Sequence, residues 1–370
     1  MSDATALLWS LPPVAYHDPT IARAELDLLR RCWLGIGRSD LVAPGEARAL
    51  DMIDVGLIVS RDEAGQLHAL ANTCRHRGAR VFEGHDACAT MQCPFHGWTY
   101  RSDGSLLAAP KMSEAAEFDR TNFGLASYRV EERSGFVFVC LDPETPPLDT
   151  WLGDFTSLHA PWPLDDLVTV RRRELTVDCN WKAFLDVFND YYHLPFVHRE
   201  SLGDMYARPD ARDDTTGAFT SQFGTTSGTG ALLKDEQELA LPPMPGLASP
   251  HRDGVRYTWA FPTMTFAAGS DSLWMYQAVP DTADPGRCHV VQTCAMPAAT
   301  VADPAHAERI DAYLRRLDAA LDEDIAVLTT QHRGLVSPDA QPGPLHPHLE
   351  PSVAAFAQWY RNEMPALPAN

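Results

Sequence analysis

The chain has 370 residues, of which 45% are hydrophobic and 22% charged, a composition typical of a globular enzyme long enough to form two domains. Its 50 acidic residues outnumber its 30 Lys and Arg residues, and the formal net charge of −20 argues against a nucleic-acid partner. The apolar stretches, such as 259–268, are far shorter than the roughly 20 residues that cross a membrane. The N-terminus, with Asp3 and no basic start before an apolar run, does not resemble a secretory signal, so we expect a cytoplasmic protein without a membrane partner.

The first half of the chain changes its texture twice. Residues 20–34 carry apolar side chains at helical spacing and predict a short amphipathic helix. From about 33 to 141, short β-rich runs alternate with Gly, Asp and Pro, which predicts a small all-β domain. A Pro-rich stretch over 143–163 follows. The predicted division is a helical segment over 1–34, a β domain over 35–145 and a larger domain over 146–370.

The second half combines helices and strands. We predict a helix over 180–193, strands within 255–279 and a long helix over 303–330. Asp303 is the expected N-cap of the long helix, because Pro304 then occupies its first helical position. The fold class predicted for the whole chain is therefore α+β.

Eight cysteines do not indicate a disulfide framework in a chain of this length without a secretory signal. Six of them belong to no motif, and we expect small buried hydrophobic side chains at these positions. They are Cys32, Cys88, Cys140, Cys179, Cys288 and Cys294.

The other two cysteines belong to a pair of short motifs. Cys74-Arg-His76 and, sixteen residues later, Cys93-Pro-Phe-His96 each offer one thiolate and one imidazole. A structural zinc site is the alternative, but its short motifs usually pair Cys with Cys and His with His. One Cys and one His in each motif is typical of a Rieske [2Fe-2S] cluster, in which one iron binds both thiolates and the other both histidines.

A second candidate metal site lies in segment 180–198. His193 and His198 are five residues apart, so on an unbroken helix they would point about 140° apart. We expect Pro195 to break the helix and let the two imidazoles meet. Two histidines and one carboxylate form the facial triad that leaves positions open on a mononuclear Fe(II).

The third ligand is predicted on the long C-terminal helix. Asp324 lies within the apolar stripe of that helix, whereas Asp322 and Glu323 are expected to point toward solvent. A carboxylate on the buried face is costly unless it is paired or binds a metal. Asp318 lies near the same stripe and is the competing candidate. The predicted triad is His193, His198 and Asp324.

The Rieske motifs and their surroundings resemble the ring-hydroxylating type of Rieske non-haem iron oxygenases, whose terminal (alpha) subunits carry both metal sites. The resemblance is carried by 72–80, 93–100, 104–106, 109–110 and 136–143 and continues into 180–198. It implies a small all-β Rieske domain and a larger helix-grip-like catalytic domain with an antiparallel sheet. Glu323-Asp324 also resembles the segment that holds the third iron ligand of the family.

The resemblance also implies partners for this chain. It implies a homotrimer in which the cluster of each subunit supplies the iron of its neighbour. Electrons are expected from NAD(P)H through a separate flavin-containing reductase or a ferredoxin, since the chain has no Gly-rich dinucleotide fingerprint.

Asp190 is predicted to be a catalytic residue without binding the iron. It precedes His193 by only three residues, and we expect its carboxylate to accept a hydrogen bond from the ring N–H of His193, which fixes the tautomer. By resemblance, its other oxygen is free for His96 of the neighbouring subunit.

Together the two sites predict a mono- or dioxygenase that uses O2 to hydroxylate or oxidatively demethylate a small organic substrate. The alternative, a Rieske protein of the pure electron-transfer type, would not need the second site. The resemblance favours choline and carnitine monooxygenase-like and betaine-demethylating relatives, hence a methylated amine or an aromatic acid as substrate. Several aromatic residues on predicted strands either pack in the core or line a pocket for an arene or a quaternary ammonium. They are Trp259, Phe261, Phe266, Trp274 and Tyr276.

Overall fold

The computed structural model describes residues 7–364 and Leu367. The chain forms two compact units, one over Arg30–Thr145 and one that combines the residues up to Leu29 with those from Pro146 onward. The first six residues of the predicted segment 1–34 lie outside the described residues. The predicted helix within that segment ends at Arg30, because the chain enters a strand at Trp33.

The strands and helices have the following bounds. Up to residue 145 they are β1 (Leu8–Trp9), α1 (Pro19–Arg30), β2 (Trp33–Arg38), β3 (Glu46–Met52), β4 (Val55–Arg61), β5 (Leu67–Ala71), β6 (His85–Ala87), β7 (Thr90–Gln92), β8 (Thr99–Arg101), β9 (Leu106–Ala108), β10 (Ser127–Arg133) and β11 (Phe136–Cys140). After it they are α2 (Leu148–Leu152), α3 (Phe155–His159), β12 (Leu167–Val177), α4 (Trp181–Phe188), α5 (Leu194–Val197), β13 (Phe219–Thr225), β14 (Gly254–Ala260), β15 (Met264–Ala268), β16 (Leu273–Pro280), β17 (Cys288–Pro297), α6 (Ala298–Ala302), α7 (Ala307–Leu335), β18 (Pro344–Leu345) and α8 (Pro351–Glu363).

The unit over Arg30–Thr145 is an all-β domain, as predicted. Seven antiparallel strands form one sheet in the order β2-β11-β10-β5-β4-β3-β6, and β7, β8 and β9 form a second. The loop after β5 and the turn between β7 and β8 carry the two Cys/His motifs. Leu70, Met91, Trp98 and Tyr100 are buried in the core behind these motifs.

The larger unit is built on a six-stranded antiparallel sheet in the order β12-β17-β16-β15-β14-β13. Helix α4 packs against β15 and β16, and α7 packs against α4. The predicted α+β class and the antiparallel sheet are confirmed. Among the described helices, none is long and apolar enough to cross a bilayer.

Helix α4 ends earlier than predicted. The helix stops at Phe188 instead of continuing to His193, and the Asn189 side chain donates a hydrogen bond back to the Leu185 carbonyl at 2.7 Å. Asp190 Oδ1 then accepts the backbone N–H groups of the residues two and three positions later, at 2.6 and 3.0 Å. The prediction that Pro195 ends this helix was therefore wrong, because Asp190 redirects the chain and Pro195 begins α5.

The long C-terminal helix begins as predicted. Asp303 accepts the backbone N–H of Ala305 at 2.9 Å, and Pro304–His306 form a short 3₁₀ turn that leads into α7. The helix continues to Leu335, beyond the predicted end at 330.

A buried polar cluster joins α1 to α4 and α8. Glu25, which is 1% exposed, accepts hydrogen bonds from Lys182 Nζ and Tyr360 Oη through one oxygen and from Trp181 Nε1 at 3.1 Å through the other. Lys182 is fully buried. The cluster explains why α1 packs with the larger unit, since each buried charge has its partner on another helix.

We expect Glu25→Gln to lower the free energy of unfolding by about 3 kcal/mol, because the ammonium of Lys182 would remain buried without its counter-charge. The measurement is urea-induced unfolding followed by circular dichroism. The control is Asp27→Asn, an exposed carboxylate on the same helix, for which we expect a change below about 0.5 kcal/mol. Equal unfolding midpoints for the two variants would contradict the role of the cluster.

Candidate metal centres

The two Cys/His loops share one backbone conformation. In each loop the N–H of the residue four positions after the Cys donates to the Cys carbonyl, at 2.9 Å for Cys74 and 3.1 Å for Cys93. The Cys N–H donates in both loops to the carbonyl five positions later, at 2.8 Å. Gly78 and Gly97 occupy the equivalent positions with φ values of 77° and 71°, a left-handed conformation in which a side chain is strained. The loops are therefore two copies of one turn.

The side chains of these turns separate by type. Cys74 and Cys93 are buried, whereas His76 and His96 are exposed. The two His Nδ1 atoms approach to 3.2 Å, which brings the imidazoles of both loops to one place. Desolvation, His76 and Arg77 lower the pKa of His96 from its ordinary value, which favours the neutral imidazole that binds metals. Two buried thiols and two outward imidazoles fit the donor set of a Rieske cluster.

Tyr100 is a further residue of this site that the sequence did not single out. Its Oη lies 3.3 Å from Cys74 Sγ and accepts the Arg75 N–H at 3.1 Å, so its own proton is free for the sulfur. Burial and the contact with Cys74 raise the pKa of Tyr100 well above its ordinary value, which keeps the hydroxyl protonated. A hydrogen bond to a cluster ligand is one of the means by which proteins set the reduction potential.

Three predicted ligands of the second site come together in the larger unit. His193 Nε2 lies 3.2 Å from His198 Nε2, and Asp324 Oδ1 lies 3.7 and 3.0 Å from these two nitrogens. A circle through the three atoms has a radius of about 1.9 Å, so one ion with bonds of about 2.0–2.2 Å can contact all three. Asp324 Oδ1 is buried and accepts no hydrogen bond from any described residue. The three donors thus fit a metal ion.

Helix α5 explains why the two histidines meet. It is a single turn, whose first residues follow His193 and whose last residue precedes His198. The His193 carbonyl accepts the N–H groups of Phe196 and Val197 at 2.9 Å, and the His198 N–H donates to Leu194 at 3.0 Å. The turn brings the two rings to a centroid distance of 5.1 Å.

Glu323 does not point toward solvent, and the expectation that it does was wrong. Its Oε2 lies 2.7 Å from His198 Nδ1 and accepts the Ser201 hydroxyl at 2.6 Å. The helical wheel gives only the direction of the α-carbon, whereas a Glu side chain can bend to a loop beside the helix. By accepting the Nδ1 proton, Glu323 leaves the lone pair of His198 Nε2 directed at the other two donors.

Asp318, the competing candidate for the third ligand, belongs to another interaction. Arg171 contacts both of its oxygens, at 2.7 and 2.8 Å, and Arg173 contacts one at 3.0 Å. Asp322 is exposed, as predicted. On α7, therefore, Asp324 alone among these three aspartates lies at the two histidines.

Asp190 lies next to His193, as expected. Its Oδ1 is 3.0 Å from His193 Nδ1, although the ring N–H is not aligned with this oxygen, which also accepts two backbone N–H groups. Its Oδ2 makes no hydrogen bond with any described residue. Burial lowers the pKa of His193, but Asp190 and Asp324 outweigh this effect and leave it raised. The surroundings of the donors are therefore acidic and attract a cation.

A cavity of about 450 Å³ opens beside the three donors. Trp274 and Tyr276 line it, together with Phe188 and Tyr257, which the sequence analysis did not select. Arg316 also lines the cavity and was missed, because a charge on the buried face of a helix is not what periodicity predicts.

The other predicted aromatic residues pack in the core. Trp259 stacks on Phe356 of α8 with a centroid distance of 4.0 Å, and Phe261 packs on the same ring at 5.4 Å. Phe266 pairs with Met275, one residue away from both Trp274 and Tyr276, and so lies on the opposite face of the sheet. Both interpretations of the aromatic set are thus correct, each for part of it.

Comparison with known proteins identifies both halves of the chain. Residues 32–128 match the family described as Rieske [2Fe-2S] domain, and residues 164–366 match the family described as ring hydroxylating alpha subunit (catalytic domain).

Relatives and solved structures agree with these matches. The glycine betaine monooxygenase oxygenase subunit of Chromohalobacter salexigens is 32% identical over 208 residues, which cover 55% of this chain and 46% of that protein. The chloroplastic choline monooxygenase of Arabidopsis thaliana is 28% identical over 89% of this chain and 77% of its own length. A solved quaternary ammonium Rieske monooxygenase superposes with a TM-score of 0.81 at 21% identity over 96% of both chains, which shows the fold. The chain belongs to the ring hydroxylating alpha subunits, oxygenases that carry a Rieske [2Fe-2S] cluster and a mononuclear iron, and is not a pure electron-transfer protein.

Proposed function

We propose that this protein is the terminal component that uses O2 to hydroxylate or oxidatively demethylate a small methylated amine. The observation that carries the proposal is the triangle of donor atoms at one end of an aromatic cavity. The proposed cluster ligands are Cys74, His76, Cys93 and His96, and the proposed ligands of mononuclear Fe(II) are His193, His198 and Asp324.

The aromatic wall supports a cationic substrate. The Phe188 ring lies 5.4 Å from Tyr257 and 4.9 Å from Tyr276, both in edge-to-face arrangements. Ring faces attract a quaternary ammonium without any hydrogen bond, which such a cation cannot donate. Relatives named as glycine betaine, choline and carnitine monooxygenases agree with this choice. An aromatic acid is the second candidate substrate, since the same rings can stack on an arene.

The side chains around the donors have separate tasks in this proposal. The iron, when bound, supplies the activation of O2 at the positions that three protein ligands leave open. Asp190 and Glu323 orient the two histidines. Val187, Leu202 and Ala320 make the cavity apolar and keep water away from the reacting methyl group.

Electron delivery requires partners. We propose a homotrimer that receives electrons from NAD(P)H through a flavin-containing reductase or a ferredoxin. The exposure of His96 and the unused Oδ2 of Asp190 support a hydrogen bond between Asp190 of one subunit and His96 of the next. Such a bond would join the cluster of one subunit to the iron of its neighbour.

The cluster assignment predicts that Cys93→Ser removes the visible absorption of the protein, because one iron loses a thiolate. The control is Cys88→Ser, a buried cysteine of the same core that belongs to no motif, and it should keep the spectrum. Equal spectra for the two variants would overturn the cluster assignment.

Three consecutive acids test the iron site. Asp324→Ala should abolish mononuclear iron binding, while Glu323→Gln should weaken it about tenfold, because His198 loses the acceptor that fixes its tautomer. Asp322→Ala, which changes an exposed carboxylate of the same helix, should bind iron like the wild type. Anaerobic titration with Fe(II), followed by metal analysis, gives the three affinities. Loss of iron in Asp322→Ala would show that the helix face was assigned incorrectly.

The proposed function is tested by O2 uptake with a reductase, during addition of methylated amines and aromatic acids. We expect a methylated amine to stimulate uptake and to yield formaldehyde or an alcohol. Asp190→Ala should keep a cluster that the reductase reduces, yet nearly abolish product, and Asp190→Glu should retain part of the activity.

The control for Asp190→Ala is Asp204→Ala, an exposed carboxylate that follows α5. Rapid mixing of the reduced protein with O2 and substrate measures reoxidation of the cluster. Wild-type rates of reoxidation and product formation in Asp190→Ala would remove this residue from the mechanism. Stimulation by aromatic acids alone would transfer the proposal to the second substrate class.

A further inference from the structure

A buried guanidinium lies in the cavity without a counter-charge. Arg316 on α7 is 4% exposed and lines the same cavity as the three donors. Among the described residues, no carboxylate lies within ion-pair distance of it. Buried arginines are rare and are nearly always paired, because the loss of hydration must be compensated.

The contacts of Arg316 within the protein are all with neutral groups. Its Nη2 lies 3.3 Å from Tyr206 Oη, a hydroxyl that also contacts Tyr257 Oη at 2.9 Å. Its carbon Cζ lies 5.0 Å from the centre of the Trp274 ring. Its Nε is buried and has no acceptor in the described part of the chain. One donor of the guanidinium is thus unused in a cavity that admits a ligand.

Other arginines of the same unit have found carboxylates. Arg256, which is 6% exposed, pairs with Asp213. Arg315, the preceding residue on α7, is largely exposed and still contacts Glu236 at 2.8 Å. The lack of an acid beside Arg316 is therefore a local feature of the cavity.

The position of Arg316 on α7 defines an axis for a ligand. Arg316, Ala320 and Asp324 recur every four residues and all line the cavity. Eight residues of helix span about 12 Å, so the guanidinium and the iron-site carboxylate lie toward opposite ends of this face. Ala320, between them, is too small to divide the space.

We propose that Arg316 binds a carboxylate of the substrate, so that the substrate class is a zwitterionic N-methylated amino acid rather than an amino alcohol. The inference rests on the proposed function, since it places the methylated nitrogen against Phe188, Tyr257 and Tyr276 and its methyl groups toward the iron ligands. The substrate carboxylate then supplies the acceptor that Nε lacks. An amino alcohol would leave the guanidinium buried and unpaired, which is the strongest ground on which a site rejects an analogue.

The test compares three probes with nearly one skeleton. Glycine betaine carries both charges, choline only the ammonium, and 3,3-dimethylbutanoate only the carboxylate. Their dissociation constants are measured by anaerobic calorimetry on the iron-loaded holoenzyme and on variants Arg316→Gln, Arg316→Lys and Arg315→Gln. Arg315→Gln makes the same chemical change one residue away, on the exposed side of α7.

We expect the wild type to bind glycine betaine at least about tenfold more tightly than choline, as a charge-assisted contact predicts. Arg316→Gln should weaken glycine betaine and 3,3-dimethylbutanoate about tenfold or more while leaving choline within about twofold. Arg316→Lys should restore part of the preference for carboxylates, because it keeps the charge but not the planar fork. Arg315→Gln should bind all three probes like the wild type.

Equal affinity of the wild type for glycine betaine and choline would overturn the inference, and this comparison needs no variant. So would a failure of both carboxylates to bind, or an equal weakening of choline in Arg316→Gln. Failure of the proposed function has another signature: 3,3-dimethylbutanoate would still bind in an Arg316-dependent manner, but no methylated amine would stimulate O2 uptake.

Discussion

The geometry of the iron site depends on one carboxylate oxygen. Asp190 Oδ1 accepts two backbone N–H groups directly after α4 and lies 3.0 Å from the ring of His193. The first interaction ends the helix and turns the chain, and the second holds the imidazole that the turn has redirected. If α4 continued, His193 and His198 would point away from each other. The same residue thus determines both the backbone path and the ligand orientation.

Helix α7 provides the opposite side of the site as a rigid element. Its buried face carries Arg316 and Asp324, while Glu323 reaches around its flank to His198. Because these residues share one helix, the distance between the guanidinium and the iron-site carboxylate is set by helical rise and hardly changes with side-chain motion. A site that must orient a short substrate benefits from such a fixed distance.

The sequence predicted those parts of the sites that depend on local spacing. The two Cys/His motifs and Asp324 followed from motif spacing and from helical periodicity, and the structure brings His193, His198 and Asp324 together. The roles of Glu323 and Tyr100 could not be predicted, because each contacts a residue that is distant in the sequence. The early end of α4 was missed since an Asp side chain competes with the helix only when the loop can close around it. Trp274 and Trp259 look alike in the sequence, and only α8 distinguishes them.

The cavity is electrically asymmetric, and this asymmetry makes its two ends chemically different. Asp190, Glu323 and Asp324 concentrate negative charge at the donor triangle, where a divalent ion compensates it. Arg316 concentrates positive charge toward the far end, where no described carboxylate compensates it. Between these ends the walls are aromatic or aliphatic and offer few hydrogen bonds. A ligand that is anionic at one end and cationic beside the rings complements all three regions, whereas a purely apolar molecule would leave the guanidinium dehydrated and unpaired.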